Sequence, residues 1–173
     1  MGYIGEAPAD VVVPEGVEGI ALEDVKRPKQ LRDIGVYTFE QCSALEHITL
    51  PNGLEKIGDS AFYGDARLEE INLSGSLKHV GSYAFDNYRM ISAMSFADEL
   101  LYLGERAYDS CSSVQDVYLP SSVTNISSYV FNNYSAITNI TTATAHRTMS
   151  NMFSSVYNKL VCITIAPAFA SSA

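Results

Sequence analysis

Three cysteines and three histidines are the side chains in this 173-residue chain best suited to chemistry. Cys42, Cys111 and Cys162 could pair as a disulfide, hold a metal as thiolates or attack an electrophile. His47, His79 and His146 could ligate a metal or carry a proton. Their spacing argues against each of these uses. The chain contains no CxxC and no Cys/His run with metal-ligand spacing. Ser and Asp are plentiful, yet neither a G-x-S-x-G nucleophile elbow nor a P-loop occurs. The glycines recur at a fixed interval instead of gathering into a phosphate cradle. The chain reads as a protein that is not an enzyme, with no cofactor and no metal site.

That interval organises the chain. "IGVYTFEQCSALEHITLPNGLEK" (34–56) is followed by "IGDSAFYGDARLEEINLSGSLKH" (57–79), "VGSYAFDNYRMISAMSFADELLY" (80–102) and "LGERAYDSCSSVQDVYLPSSVTN" (103–125), each 23 residues long and aligned without a gap. A fifth unit spans 126–148 and a distorted last one 149–166. Counting from zero at each Ile-Gly, position 0 holds Ile34, Ile57, Val80, Leu103 and Ile126. Position 5 holds Phe39, Phe62, Phe85, Tyr108 and Phe131, and position 11 holds Leu45, Leu68, Ile91, Val114, Ile137 and Leu160. Positions 14 and 16 are apolar columns too, carried by Ile48, Ile71, Met94, Val117, Ile140 and Ile163 and by Leu50, Leu73, Phe96, Leu119, Thr142 and Ile165. A period of this size signals a stacked architecture, in which each unit supplies the wall its neighbour lacks.

The pattern inside a unit implies its local structure. Positions 14–16 alternate apolar, polar, apolar, the period of a half-buried strand. Pro51 and Pro120 end it, because proline cannot donate to a ladder. Asp59, Ser82 and Ser128 at position 2 are helix-capping types. Gln41, Gly64, Asn87, Ser110 and Asn133 at position 7 are mostly types that tolerate a left-handed exit. A turn or two of helix is expected between them. Position 1 is glycine in four of five units, which calls for a positive φ or a tight corner.

The ends are irregular, as capping units are. Residues 1–10 form an extension and 11–33 a shortened first unit, in which Val11, Val13, Pro14, Val17 and Ile20 match positions 14, 16, 17, 20 and the next zero. A strict register would use Leu22, Val25, Pro28 and Leu31 instead; the Val-rich "VVVP" favours the first alternative. At the other end Leu160, Ile163 and Ile165 hold register, Phe153 falls one place early, and 167–173 are a tail.

Stacking also places the reactive side chains. Cys42 and Cys111 share position 8, three units apart, or about 14 Å along a stack of strands. A disulfide needs Cα atoms within about 7 Å, so these two are small buried hydrophobes, and Cys162 is a free thiol. The histidines fall at positions 13, 22 and 20, on different sides of a coil, and share no site.

With 47% hydrophobic residues the chain can bury a substantial core. A formal charge of −9 argues against nucleic acid and anionic membrane surfaces as partners. No stretch reaches the ~20 apolar residues of a membrane span, so membrane insertion is not expected. The N-terminus has no signal-peptide pattern, which points to a cytoplasmic protein or to removal of a leader.

The units resemble the BspA-type leucine-rich repeat, whose unit runs roughly Ile-Gly, Ala-Phe, Cys, Leu and an apolar strand ending in proline. "IGDSAFYG" (57–64), "CSALEHITLPNGLEKI" (42–57) and "CSSVQDVYLPSSVTNI" (111–126) carry the likeness, which extends over residues 11–166. The resemblance implies an α/β leucine-rich-repeat solenoid with a parallel β-sheet on one, concave face and short helical or turn segments opposite. It also implies an extracellular or cell-surface protein that binds host proteins or serves adhesion. Ala97 in place of proline, Ser127 in place of glycine and Thr142 in place of an apolar strand residue depart from the pattern locally.

In such a coil the polar strand positions line the exposed face. Positions 13 and 15 provide His47, Glu70, Asp116 and Asn139, and Thr49, Asn72, Ser95, Tyr118 and Thr141. These nine residues are the expected ligand-binding surface for a protein or glycan, with Tyr118 as its anchor, because aromatic side chains carry interface energy. A structural spacer within a larger surface protein is the alternative role. The four N-x-S/T matches, at Asn72, Asn125, Asn133 and Asn139, are read as chance in a chain rich in Ser, Thr and Asn. Residues 1–125 hold all 20 acidic residues, whereas Arg147 and Lys159 are the only charges after them. The last strand, "VCITIAP", therefore lacks a charged guard, and weak self-association through residues near 150–170 is expected unless the tail covers it.

Overall fold

The computed structural model describes residues 10–12, 31–71, 73, 75–89, 94, 96–134, 136–142, 152 and 162–165. The apolar–polar alternation at positions 13–16 forms the first set of strands: β1 (Asp10–Val12), β3 (His47–Thr49), β5 (Glu70–Ile71), β8 (Asp116–Leu119), β10 (Asn139–Thr142) and β11 (Cys162–Ile165). The second set straddles the unit boundary: β2 (Asp33–Ile34), β4 (Lys56–Ile57), β6 (His79–Val80), β7 (Tyr102–Leu103) and β9 (Asn125–Ile126). All pair in parallel, in three ladders ordered β1-β3-β5, β8-β10-β11 and β2-β4-β6-β7-β9. His47 lies beside Glu70, Lys56 beside His79 and Asp116 beside Asn139, so one coil is one 23-residue unit. β1 sets Val11 beside Ile48, in the position-14 column. The alternative register through Leu22 and Val25, the extension before Asp10 and the tail after Ala166 lie outside the described residues.

Every coil presses the same positions inward. Ile34, Leu45, Ile57, Leu68, Val80, Leu103, Val114, Val117 and Ile140 are buried in one continuous core. Position 5 forms a stack of rings running through it. Centroids are 5.1 Å apart for Phe39–Phe62, 5.3 Å for Phe62–Phe85, 5.0 Å for Phe85–Tyr108 and 6.2 Å for Tyr108–Phe131, with interplanar angles between 4° and 19°. Each stacked pair adds about 0.5–1.5 kcal/mol beyond its buried area.

In the five units that begin at Ile34, Ile57, Val80, Leu103 and Ile126, the segments between positions 2 and 7 are turns where short helices were expected. Among the described residues only Met152 is helical. The reason lies in where the amides go. Phe39, Phe62, Phe85 and Tyr108 donate not to their own turn but to Ala61, Ala84, Ala107 and Val130 of the next coil, at 2.8–3.1 Å. Positions 3 and 7 flank this amide and take left-handed φ values: Tyr37 59°, Gln41 56°, Ser60 52°, Gly64 80°, Tyr83 56°, Asn87 67°, Arg106 53°, Ser110 60°, Tyr129 62° and Asn133 57°. Alternating the hand of the backbone turns the amides of positions 3, 5 and 7 along the solenoid axis. A helix would aim them all into its own preceding turn. At position 2 the Asp59 side chain serves the same end, since its Oδ1 accepts the Ser82 amide one coil on at 2.8 Å.

The glycines at position 1 answer to a tight corner, not to a positive φ. A Cβ on Gly58 would lie 2.7 Å from the Gly35 carbonyl carbon, one on Gly81 2.6 Å from that of Gly58, and one on Gly104 2.5 Å from that of Gly81. Successive coils touch backbone to backbone there. Among the described residues Gly35 begins the row, and a Cβ there would meet only Thr38 Oγ1, at 3.2 Å.

Two outcomes follow for stability. Phe62→Ala, which opens a gap between Phe39 and Phe85, is expected to cost about 3–5 kcal/mol in reversible denaturation; a loss below about 1 kcal/mol would mean the ring stack is not structural. Gly81→Ala is expected to cost about 1–3 kcal/mol through backbone displacement and Gly35→Ala distinctly less. Equal losses at the two sites would show that the coils do not depend on the close approach.

Candidate functional site

The exposed sheet face is built from the polar members of the alternating strands. The inward residue of each holds it flat: Ile48 in β3, Val117 and Leu119 in β8, Ile140 and Thr142 in β10 are buried. His47, Thr49, Asp116 and Tyr118 are exposed between them, Asn139 likewise, and Thr141 is half-buried. Glu70 lies beside His47 in the β3–β5 register. Asn72 and Ser95 lie outside the described residues.

Among the described residues the candidates fall in two groups. His47, Thr49 and Glu70 belong to the β1-β3-β5 ladder, whereas Asp116, Tyr118, Asn139 and Thr141 belong to β8-β10-β11. The bridge of Met94 to Val117 is the connection recorded between β8 and the third unit. In the second group Asp116 is paired with Asn139, and Tyr118 with Thr141 and then Thr164. Asn139 Nδ2 donates to Asp116 Oδ1 at 2.6 Å, which fixes both side chains. Tyr118 stands beside them with 48% of its surface exposed, a large aromatic ring with a hydroxyl on an otherwise polar patch. The arrangement offers donors, acceptors and one apolar plane to a docking surface. It offers no activated nucleophile.

The cysteines do not alter that view. Cys42 and Cys111 are buried and free. Burial pushes the Cys111 thiol up to about 12, so its thiolate is not available at neutral pH. Burial and the neighbouring Asp65 raise Cys42 as well. Among the described residues no group of three or more His, Cys, Asp and Glu is placed to hold a metal.

A second constellation, on the turn side, escapes sequence reasoning. Arg106 lies between the rings of Tyr83 and Tyr129, its guanidinium 5.9 and 5.4 Å from their centroids. It also faces Asp109 Oδ2 at 3.8 Å. Buried Asp109 accepts from Ser110 Oγ at 3.0 Å, Asn133 Nδ2 at 2.9 Å and Asn132 Nδ2 at 3.3 Å. Neighbouring Asp86 is pushed up to about 6 by burial and then by the Asp109 charge, against the pull of Arg106 and the Asn87 amide. The signal was present as the position-3 column, Tyr83, Arg106 and Tyr129, but only the left-handed turn reveals that these side chains stack. Tyr37, in the same column, is 54% exposed.

The second sheet carries a mixed-charge row. Glu55 pairs with Arg32, and with Lys78 at 3.4 Å, while the rings of His79 and Tyr102 approach to 5.9 Å.

Comparison with known proteins supports the repeat assignment. The family model described as BspA type leucine-rich repeat region matches residues 17–138 and 55–171, in six copies. No curated protein matches the chain. Among solved structures, a T. pallidum leucine-rich repeat protein is similar at 22% identity and TM-score 0.76, over 95% of this chain and 72% of that one. A leucine-rich repeat protein from Bacteroides ovatus is similar at 23% identity and TM-score 0.68, over 77% of this chain and 33% of that one. A leucine-rich cell surface protein from Faecalibacterium prausnitzii is similar at 17% identity and TM-score 0.58, over 82% of this chain and 49% of that one. No helix among the described residues is long and apolar enough to cross a membrane.

Proposed function

The chain belongs to the BspA-type leucine-rich repeat family, and we propose that it is a non-enzymatic binding module which acts at a bacterial cell surface in adhesion. Its ligand is a protein or a glycan, docked on the exposed sheet face. The observation that carries this reading is the β8–β10 patch, where exposed Tyr118 stands beside the fixed Asp116–Asn139 pair. Interface energy concentrates in a few aromatic anchors surrounded by polar contacts. His47 and Thr49, both exposed, extend the surface along the β3–β5 ladder. The cell-surface location rests on the family and on the name of the F. prausnitzii relative. Weak self-association along β11, which ends its ladder among the described residues, belongs to the same reading, because an outer strand that nothing covers has unpaired backbone groups.

Binding to immobilised extracellular-matrix proteins and to a glycan array tests the first part. Tyr118→Ala is expected to weaken the captured interaction by about tenfold or more. Its folding stability should stay within about 0.5 kcal/mol, as for a surface change. Binding untouched by Tyr118→Ala and Asn139→Ala would remove the patch from the mechanism. Absence of binding to every probe would favour a spacer role. Sedimentation at high concentration tests self-association, with Thr164→Lys expected to lower it; a strict monomer unaffected by the substitution defeats that part.

A further inference from the structure

Asp65 occupies position 8, where the other coils from 34 to 148 hold Cys42, Tyr88, Cys111 and Tyr134. It is 0% exposed, and neither carboxylate oxygen has a hydrogen-bond partner among the described residues. No ion pair compensates it there either: Arg67, two residues on, pairs with Glu46. The groups on either side are neutral. Cys42 lies in the preceding coil and Tyr88 follows in the column, both buried, while Gln41 packs 3.4 Å from where a Gly64 Cβ would stand. An ionised carboxylate here would give up its hydration with almost nothing in exchange. The Cys42 amide favours the charged form, but it already donates to Phe39 O at 3.2 Å.

We propose that Asp65 is a proton-held latch: with its proton the turn at Gly64–Ala66 packs shut against the neighbouring coils, and without it that corner opens. The latch works independently of any ligand on the sheet face. Burial raises Asp65 to about 8, opposed in part by the Cys42 amide, whereas an unfolded aspartate titrates at about 3.9. A raised folded value means that the folded state holds the extra proton. The stabilisation is therefore complete below about pH 3.9 and is lost as pH rises through about 8. Asp86, raised to about 6 and facing Asp109 and Arg106, shifts stability in the same direction. The two are joined through the backbone, since the Gly64 amide donates to Asp86 O at 3.1 Å.

The opening has a local readout. Gln41 donates to Tyr63 O at 2.7 Å and Gly64 to Asp86 O at 3.1 Å, on either side of the latch. Between pH of about 5 and about 9, hydrogen-exchange protection at these two amides is expected to fall by about tenfold or more, ahead of amides in the β2–β9 ladder. The denaturation midpoint of the intact chain should fall over the same range. Asp65→Asn is expected to remove most of this dependence and leave only the part that Asp86→Asn removes. A pH profile for Asp65→Asn parallel to that of the wild type overturns the proposal. Should Asp65→Asn fail to fold, a carbon-13 titration of the Asp65 carboxyl in the wild type decides: a midpoint in the ordinary carboxylate range overturns the latch, and one near neutrality or above supports it.

Discussion

The structure depends on one constraint: each coil must satisfy its backbone donors and acceptors on the coil beside it. On the strand sides this is the familiar parallel ladder, whose bonds run both ways between coils, with Gly58 N donating to Ile34 O and Gly81 N to Ile57 O just past the strands. On the turn side the position-5 amide of the earlier coil donates, as Phe62 N does to Ala84 O. Where the register steps by one 23-residue unit, equal coil length keeps equivalent residues level on both sides; β1, whose Val11 lies beside Ile48, joins through a longer connection. The 23-residue period is the consequence, and a register shift in one coil would disturb both the ladders to which its strands belong and the turn-side bonds. Departures such as Ala97 and Ser127 are single substitutions, and the register passes through them unchanged.

The same constraint governs which residues fit. Left-handed backbone at positions 3 and 7 is costly for residues with a Cβ, by about 1–3 kcal/mol each, yet nine of the described non-glycine residues adopt it. Inter-coil bonds such as Tyr37 N to Asp59 O at 3.0 Å and Gln41 N to Tyr63 O at 2.7 Å hold them there. The ring stack at position 5 then fills the space inside the turns. Position 8, just after the turn, receives whatever side chain closes the corner, and in one coil that side chain is a carboxylate.

The outer surface is divided by the same geometry. Strands expose alternate side chains in rows, so the two sheet faces present ordered lines of neighbours. One face joins Asp116, Asn139 and Tyr118; the other links Arg32, Glu55 and Lys78 before His79 and Tyr102. Turns expose residues less regularly, and a stack such as Tyr83–Arg106–Tyr129 arises where three successive coils supply compatible groups. The surface chemistry of such a molecule is a matter of which rows are populated, with the scaffold left unchanged.

The sequence by itself determined the repeat length, the inward columns and the strand at positions 13–16. These follow from hydrophobic periodicity, a property of residue types in order, and Ile48, Val117 and Ile140 lie buried in line with it. The exposed partners of those strands were legible for the same reason, since a strand that buries one side must present the other. What sequence could not decide was the path between strands. Capping types at position 2 and left-handed types at position 7 are compatible with a short helix and equally with a turn that donates outward. The choice depends on acceptors in the next coil, such as Ala84 O for Phe62 N, which exist only once coils are stacked. Position-1 glycine was ambiguous likewise until the neighbouring backbone stood within 3 Å of the missing Cβ. The second ladder, the Arg106 stack and the uncompensated burial of Asp65 were decided by tertiary structure alone. Each is a relation between residues 23 or more apart, whose meaning depends on distance in space and on exclusion of water, and neither is written in local residue order.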